Sequence, residues 1–379
     1  MVHQEFQLLN YSDLPAWNDD NHIDAFRCFL LSAQKFQHDK KSPKTKKSGV
    51  DGAALAQIFV HALKQADQII FNEHAKSFFE AYFSPAEVPE TSDVSEDWPG
   101  LLTAYYEPVL QGSRVQTSEF STPLLRRPSD LVEIKPDIDM SSLPSDWPQG
   151  LRFGRLTGSK IVPYFDRGEI EGKAFSDGAL ANKGLELVWL RDRVEAFFIH
   201  IQGSAGIHLT DGTMMRVSYN GKSGHDYTPI GRVLKDRGAL RSGSITMESI
   251  KQWLRANPSE KLSVLHANRS FIFFQEEVDL QSGLGPRAAA GVQLTKTRSL
   301  AVDRLIHTFH APIFVSSKQG GRVEHHLMIA QDTGSAIVGA HRGDYFSGSG
   351  DEAGAHASGF AASARFKLLV PKLQLGLQQ

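Results

Sequence analysis

Apolar residues recur every three or four positions over roughly the first eighty residues, and this spacing predicts amphipathic helices. The first helix carries its apolar stripe on Ile23, Phe26, Leu30 and Ala33. Asp51 is placed to cap a second helix, and a third is predicted around residues 73–83, before Ser84-Pro85. The chain therefore opens with a helical segment.

From about residue 100 the pattern changes to short apolar runs separated by glycine turns, which is typical of strands. Strands are predicted at residues 101–106, 185–190 and 194–201, and in the runs FIFFQ, APIFV, HHLMIA and ARFKLLV. Turns at Arg191-Asp192-Arg193 and Asp211-Gly212 predict two hairpins, and Asn220-Gly221 predicts a further turn. With short helices at 230–237 and 247–255, we predict a mainly β fold with N-terminal helices, of the α+β class.

Length, charge and cysteine content narrow the class of protein. A chain of 379 residues exceeds one compact core, so two domains are expected. Lys plus Arg is 41 and Asp plus Glu is 43, a balance that gives no support for a nucleic-acid partner. Cys28 is the only cysteine, and its apolar helical setting predicts a buried structural thiol. No histidine pair has metal-site spacing, so neither metal nor cofactor is predicted.

No apolar stretch reaches the ~18 residues of a membrane span, and the start shows no signal peptide. Taken alone, the chain is expected to be cytoplasmic, or a mature form whose export signal has been removed. A basic run, HDKKSPKTKKSG, separates the first two predicted helices. It could contact an anionic surface, but a flexible solvated loop is the favoured interpretation. Residues 85–99 form a second predicted loop.

The most informative stretch is QDTGSAIVGAHRGDYFSGSGDEAG, which gathers Asp332, Asp344 and Asp351 among six glycines. Acidic side chains on such turns suit proton transfer, although for any single one of them a helix cap or a solvated turn is the favoured interpretation.

Two other segments suit a polar ligand. LTAYYEP brings together Thr103, Tyr105, Tyr106 and Glu107, and strand alternation sends Thr103 and Tyr105 to one face. Aromatic faces beside hydroxyls and carboxylates fit sugar rings, against the simpler interpretation of an aromatic core strand. HIQGSAG adds Gln202 and Ser204 on a polar turn.

The segment DTGS also resembles an aspartic-protease half-site, which needs a second such aspartate. The chain has no second DTG, so this stays a minor alternative. Nor does it contain a phosphate-binding glycine loop or a GxSxG elbow, which disfavours nucleotide and α/β-hydrolase chemistry.

Five segments in this order, LTAYYEP, FFIHIQGSAG, VSYNGKSGHDY, RSLAVD and the aspartate-rich stretch, resemble the membrane-bound lytic murein transglycosylase A family. The resemblance runs from about residue 20 to residue 370 and includes WNDD at residues 17–20. Two small departures are DTGSAI for the usual DTGGAI and LTAYYEP for LTGYYEP.

The resemblance implies a double-psi β-barrel, formed by residues 1–108 and 266–379, with a second β-rich domain inserted at 109–265 and a substrate groove between them. It implies non-hydrolytic cleavage of the MurNAc–GlcNAc bond of peptidoglycan, leaving 1,6-anhydro-MurNAc ends. Asp344 would be the one acid and base, and Asp351 a helix cap. The implied substrate-binding residues are Asp332, Thr103, Tyr106, Glu107, Gln202 and Ser204.

The implied partners are peptidoglycan glycan strands and cell-wall synthesis proteins, on the periplasmic side of the outer membrane. Members attach there through a lipid anchor, and no lipobox precedes Cys28 in this chain. Two alternatives stay open. One is a lysozyme-type hydrolase with Asp332 or Glu107 as second carboxylate, and the other is a wall-binding protein without activity.

Overall fold

The computed structural model describes residues 6–89, 98–134, 143–145, 147–148, 151–241 and 245–377. The chain divides into two compact units. The first comprises Met1–Tyr106 and Leu280–Gln379, and the second is the continuous segment Glu107–Asp279.

The helices of the described residues, in chain order, are α1 (His22–Asp39), α2 (Gly52–Gln65), α3 (Asn72–Tyr82), α4 (Arg167–Glu171), α5 (Arg193–Gln202), α6 (Ile230–Asp236), α7 (Met247–Ala256), α8 (Pro258–Ala267) and α9 (Asp351–Gly359). The three N-terminal helices, α6 and α7 confirm the predictions made from apolar spacing. Asp51 accepts a hydrogen bond from the Ala53 N–H and caps α2, as predicted. No helix in the described ranges is long and apolar enough to span a membrane.

The strands, in chain order, are β1 (Phe83–Glu87), β2 (Gly100–Glu107), β3 (Val109–Ser113), β4 (Thr122–Leu125), β5 (Leu131–Glu133), β6 (Phe153–Thr157), β7 (Lys160–Pro163), β8 (Glu186–Leu190), β9 (Ser204–Leu209), β10 (Met214–Lys222), β11 (Ile272–Glu276), β12 (Ser299–Val302), β13 (Pro312–Gln319), β14 (Arg322–Asp332), β15 (Arg342–Ser349) and β16 (Ala361–Pro371). Several sheets with helices at the N-terminus confirm the mixed class that the sequence predicts.

The first unit is built on one sheet with the strand order β1-β16-β13-β14-β12-β15-β2. Because β2 also pairs with β16, six of these strands close into a ring and only β1 lies outside it. Helices α1, α2 and α3 contribute a group of phenylalanines to the core that this sheet shares with them, namely Phe26, Phe29, Phe59, Phe78 and Phe79. Closure leaves those six strands without an open edge.

The second unit holds a six-stranded sheet, ordered β11-β10-β9-β3-β8-β4, and a three-stranded sheet, ordered β5-β6-β7. Strands β9 and β10 pair across Asp211-Gly212, which confirms that predicted hairpin. Three separate groups of buried apolar side chains form its cores.

The predicted strand at residues 194–201 is wrong, because this segment is helix α5. Asp192 does not form a hairpin turn but caps the helix, accepting hydrogen bonds from the N–H groups of Val194 and Glu195. The helix packs into two apolar groups, so its apolar residues surround it and mimic the unbroken pattern of a buried strand.

One predicted turn and one predicted loop are also corrected. Asn220-Gly221 lies inside β10, where the pairing with β11 shifts register between Tyr219 and Lys222 and Gly221 has a φ of 131°. Part of the loop expected at residues 85–99 belongs to β1, and residues 90–97 lie outside the described residues. Pro258 is the first residue of α8, where its missing N–H costs no hydrogen bond.

Candidate active site

Two aspartates face the same side of the closed ring. Ala301 of β12 pairs with Asp344 of β15 on one side and with Asp332 of β14 on the other. Residues directly opposite each other on neighbouring strands share a face, so both carboxylates project the same way. Two strand spacings put about 10 Å between the two Cα atoms.

A register shift makes this pairing possible. The parallel ladder of β12 and β14 runs from Leu300–Ala330 to Ala301–Asp332, so Gln331 has no opposite partner. In an unbroken ladder Ala301 would meet Gln331, and Asp332 would point to the other face. The irregularity at the end of β14 therefore brings Asp332 to the face of Asp344.

Strand β2 supplies one hydroxyl to each carboxylate. Thr103 Oγ1 donates to Asp344 Oδ1 at 2.6 Å, and the Tyr105 hydroxyl donates to Asp332 Oδ2 at 2.6 Å. Both residues lie on one face of β2, as strand alternation predicts. Arg342 Nη2 donates to Thr103 Oγ1 at 2.8 Å, which leaves the hydroxyl proton of Thr103 directed at Asp344.

Asp344 is half-buried and keeps one oxygen open. Burial raises its pKa to about 6, although the hydrogen bond from Thr103 and the charge of Arg342 act to lower it. Its Oδ2 has no hydrogen-bond partner in the described part of the chain. A carboxyl with a pKa near neutrality and an unoccupied oxygen can exchange a proton with a ligand.

Asp332 is held more firmly. Its Oδ1 accepts from the N–H groups of Ala289 at 3.0 Å and Thr333 at 2.9 Å, in addition to the Tyr105 bond on Oδ2. Burial raises the pKa of Asp332, and these three donors oppose that rise. This carboxylate is therefore fixed in position by its neighbours.

A buried polar network supports the end of β14. Gln331 Nε2 donates to the backbone oxygen of Cys28 and to Ser32 Oγ, both at 2.9 Å, and Gln331 Oε1 accepts from Ser299 Oγ at 2.6 Å. The Cys28 thiol also donates to Gln331 Oε1, at 3.1 Å. Cys28 is fully buried and burial raises its pKa to about 11, which confirms a structural thiol.

The structure does not bring all predicted site residues together. Tyr106 is buried on the other face of β2, packed so closely on α9 that a Cβ on Gly354 would lie 2.7 Å from its ring. Asp351 is not the cap of α9, because Gly350 holds that position with φ 85° and Asp351 is the first helical residue. Glycine takes the cap since a positive φ is strained for other residues.

Three predicted substrate contacts belong to the second unit. Glu107 is fully buried in an ion pair with Arg216, at 2.7 Å between Oε1 and Nε. Gln202 ends α5 and Ser204 begins β9, on either side of Gly203.

Sequence reasoning missed Arg342 and Ala289 as members of the site, and it put Tyr105 beside Thr103 without counting it among the substrate-binding residues. Alternation on β2 is a signal for Tyr105, since it shares the face of Thr103. No sequence signal marks the N–H of Ala289. Within the described ranges, no three His, Cys, Asp or Glu side chains are grouped as a metal site would require.

Comparison with known proteins gives the family. Residues 101–275 match the MltA specific insert domain, and residues 298–370 match the 3D domain. The crystal structure of membrane-bound lytic murein transglycosylase from Agrobacterium tumefaciens is 36% identical, with a TM-score of 0.85 over 98% of this chain and 99% of that one. MltA from Neisseria gonorrhoeae, in its monoclinic form, is 31% identical, with a TM-score of 0.77 over 97% and 92% of the two chains.

The curated membrane-bound lytic murein transglycosylase A of Escherichia coli strain K12 is 32% identical over 268 residues, which is 68% of this chain and 62% of that protein. The match thus spans less than two thirds of the relative's length. The matched domains and the solved structures together make the chain similar to the murein transglycosylases. It belongs to the membrane-bound lytic murein transglycosylase A family, which confirms the resemblance read from its motifs.

Proposed function

We propose that this protein is a lytic transglycosylase that cleaves the MurNAc–GlcNAc β-1,4 bond of peptidoglycan without water, leaving 1,6-anhydro-MurNAc ends. Family membership supports the reaction class. The observation that carries the proposal is Asp344, a half-buried carboxyl whose pKa is raised to about 6 and whose Oδ2 is open. Only one such group is needed for this chemistry.

Asp344 acts first as an acid. Its proton passes to the glycosidic oxygen as the bond from C1 of MurNAc to that oxygen breaks, and GlcNAc leaves with a new hydroxyl. The C6 hydroxyl oxygen of the same MurNAc then bonds to C1, and its proton passes to the Asp344 carboxylate. The intramolecular attack gains from proximity, and the acid is regenerated without consuming water.

Thr103 and Arg342 act to lower the pKa of Asp344, whereas Asp332 adds a second negative group on the same face. Asp332 raises the pKa of Asp344 further, after the larger effect of burial. We assign Asp332 to orienting the site or the sugar. Tyr106, Glu107, Gln202 and Ser204 stay proposals as substrate contacts.

A lysozyme-type hydrolase is the second candidate, because two carboxylates on one face are what a glycosidase uses. In that mechanism Asp332 would be the second carboxylate, acting as nucleophile or as stabiliser of the charge at C1. Against it, Asp332 already accepts three hydrogen bonds, from Tyr105, Ala289 and Thr333.

We also infer that the closed ring of six strands is a double-psi barrel and that the second unit is a domain inserted into it. A location on the periplasmic side of the outer membrane and work alongside cell-wall synthesis proteins follow from the family as proposals. A solved structure of Escherichia coli MltA contains bound chitohexaose. That neighbour is 23% identical with a TM-score of 0.64, so its likeness supports the fold alone.

The test is Asp344→Asn, which keeps the shape and removes the acid. We expect murein clearing to fall by roughly 10²–10⁴-fold, the usual contribution of a general acid. Asp351→Asn, an exposed acid at the start of α9, is the matched control and should keep wild-type activity. Full activity in Asp344→Asn would contradict the assignment of Asp344 as the general acid.

Mass spectrometry of the released muropeptides separates the two reactions. Anhydro ends without oxygen from labelled water support the transglycosylase. Reducing ends that carry labelled oxygen would instead establish the hydrolase.

A further inference from the structure

A basic cavity of 320 Å³ lies in the first unit, and Asp344 is not among the residues that line it. Its walls come from the end of α1, the basic loop that follows it, Phe59 of α2, and parts of the segments before β12 and β13. The cations that line it are Lys35, Lys41, Lys44, Lys46 and Arg304. Asp39 is the single acid of the lining.

Most of this positive charge is uncompensated. Asp39 is already paired with Lys35 at 2.7 Å and contacts His38. The side chains of Lys41, Lys44, Lys46 and Arg304 make no ion pair or hydrogen bond within the described residues. Four like charges around one concavity repel one another, and an anion bound there relieves that repulsion.

The basic loop is anchored and not merely solvated. The Lys46 N–H donates to Thr308 Oγ1 at 3.0 Å, and the Ser48 N–H donates to the Ile306 oxygen at 2.7 Å. Thr308 Oγ1 in turn donates to the Val50 oxygen at 2.8 Å. The lysines are therefore presented from a backbone held in place, which lowers the entropy cost of gathering them on a ligand.

The cavity also has apolar walls and adjoins the candidate active site. Phe36, Phe59 and Phe309 contribute aromatic surface. Ala289 and Ala290 line it as well, and the Ala289 N–H is a donor to Asp332. A residue that lines the cavity is thus hydrogen-bonded to a carboxylate of the site.

We propose that this cavity binds the carboxylate-bearing stem peptide of peptidoglycan, an inference that rests on the proposed function. Stem peptides hang from MurNAc and carry free carboxylates beside aliphatic side chains, which matches cations above aromatic walls. At 320 Å³ the cavity is near the lower end of the roughly 300–1,000 Å³ of small-molecule sites, so it suits a short peptide better than a glycan strand. A membrane surface is flat, whereas the cations here surround a concavity whose lining also includes the buried Phe59 and His310.

The test compares the wild-type chain, the double variant Lys44→Gln/Arg304→Gln and Lys47→Gln. Lys47 is exposed on the same loop but does not line the cavity, so it controls for loss of charge alone. Calorimetry is run with the synthetic tripeptide L-alanyl-γ-D-glutamyl-diaminopimelate, with inorganic phosphate, and with phosphatidylglycerol vesicles. The double variant should bind the tripeptide at least about tenfold more weakly, and Lys47→Gln should bind it normally.

Kinetics give a second readout. The ratio of kcat/KM on stem-bearing murein strands to that on stem-free strands should fall about tenfold in the double variant, in line with its weaker binding. No tripeptide binding by the wild-type chain, or equal binding by the double variant, would overturn the proposal. So would binding of phosphate or vesicles alone that is lost in the double variant. If the wild-type chain cleaves neither kind of strand, the proposed function fails, and calorimetry still shows whether the cavity binds the tripeptide.

Discussion

At the scale of single residues, the contrast between the two aspartates of the site decides their roles. Asp344 has one oxygen held by Thr103 and one open, whereas Asp332 is held by three donors. Proton exchange needs an oxygen that a substrate can reach, and orientation needs one that does not move. The same face of the ring therefore carries a reactive carboxyl beside a fixed one.

The pH dependence of activity follows from the raised pKa of Asp344. The pKa is about 6, so the acid form that donates is lost as the pH rises through that value. We expect kcat/KM on murein strands to fall about tenfold per pH unit on the alkaline side.

Thr103→Val removes a hydrogen bond to the Asp344 carboxylate, which raises its pKa and moves the alkaline limb of the pH profile upward by roughly one pH unit. Thr103→Ser keeps the hydroxyl, and its profile should match wild type. An unmoved limb in Thr103→Val would contradict the assignment.

The free energy of unfolding should also depend on the ionisation of Asp344. The folded-state pKa of Asp344 is about 6 and the unfolded value is ordinary, so the folded state binds more protons between them. Ionised Asp344 therefore destabilises the fold above pH 6, and this effect vanishes below the unfolded pKa. Asp344→Asn should raise the free energy of unfolding by up to about 2–3 kcal/mol at pH 8.

Urea unfolding at two pH values measures this. Near pH 3.5 the gain should disappear, apart from the small loss of the Thr103 hydrogen bond. A gain of the same size at both pH values would show that it does not come from ionisation.

The sequence located Asp344, Asp332 and Thr103 but not their full environment. Alternation along β2 is a local property, so the shared face of Thr103 and Tyr105 could be predicted. The shift that turns Asp332 toward Asp344 depends on how β14 pairs with β12, from which it is separated by β13. Contacts of that kind leave no periodic trace in the chain.

At the scale of elements, helices with one apolar face were predictable and a helix buried on several faces was not. Helices α1, α2 and α3 each present a single buried stripe. In α5, Val194, Phe197, Phe198 and Ile199 are all buried, so the helical period is hidden and the β-favouring side chains suggest a strand. The residue that indicated a helix was Asp192, since an aspartate directly before an apolar run is a common helix cap.

A buried ion pair joins the N-terminal segment to the ring. Arg298 donates two hydrogen bonds to Asp20, at 3.0 and 2.9 Å, and the Leu327 N–H of β14 donates a third at 2.7 Å. Burial acts to raise the pKa of Asp20, but the nearby His326 and the hydrogen bonds from Arg298 outweigh it and hold the pKa below its usual range. Asp20 thus stays ionised wherever the protein is folded near neutral pH.

Asp20→Ala should leave the Arg298 charge buried without this partner and cost about 3–5 kcal/mol of unfolding free energy. Asp24→Ala, which breaks the exposed pair with Arg27, should cost less than about 1 kcal/mol. Chemical denaturation of both variants at neutral pH checks the difference. Equal losses would show that burial adds nothing to the first pair.

At the scale of the whole molecule, the two units differ in continuity. Glu107–Asp279 is one uninterrupted segment with its own cores and the Glu107–Arg216 ion pair inside it. We expect residues 107–279, expressed alone, to unfold in one cooperative thermal transition seen by circular dichroism. A fragment with no such transition would mean that this unit depends on the rest of the chain.

The closed ring has a consequence for how the chain is made. Strand β2 pairs with β16, Thr103 opposite Ala361, yet the ribosome produces β16 only after the entire second unit. At roughly 5–20 residues per second, this delay is on the order of tens of seconds. During this delay, the apolar faces of three amphipathic helices and of β2 stay exposed in the nascent chain, because the strands that later cover them have not been synthesised. We therefore expect the emerging polypeptide to depend on holding chaperones until its last strand is released.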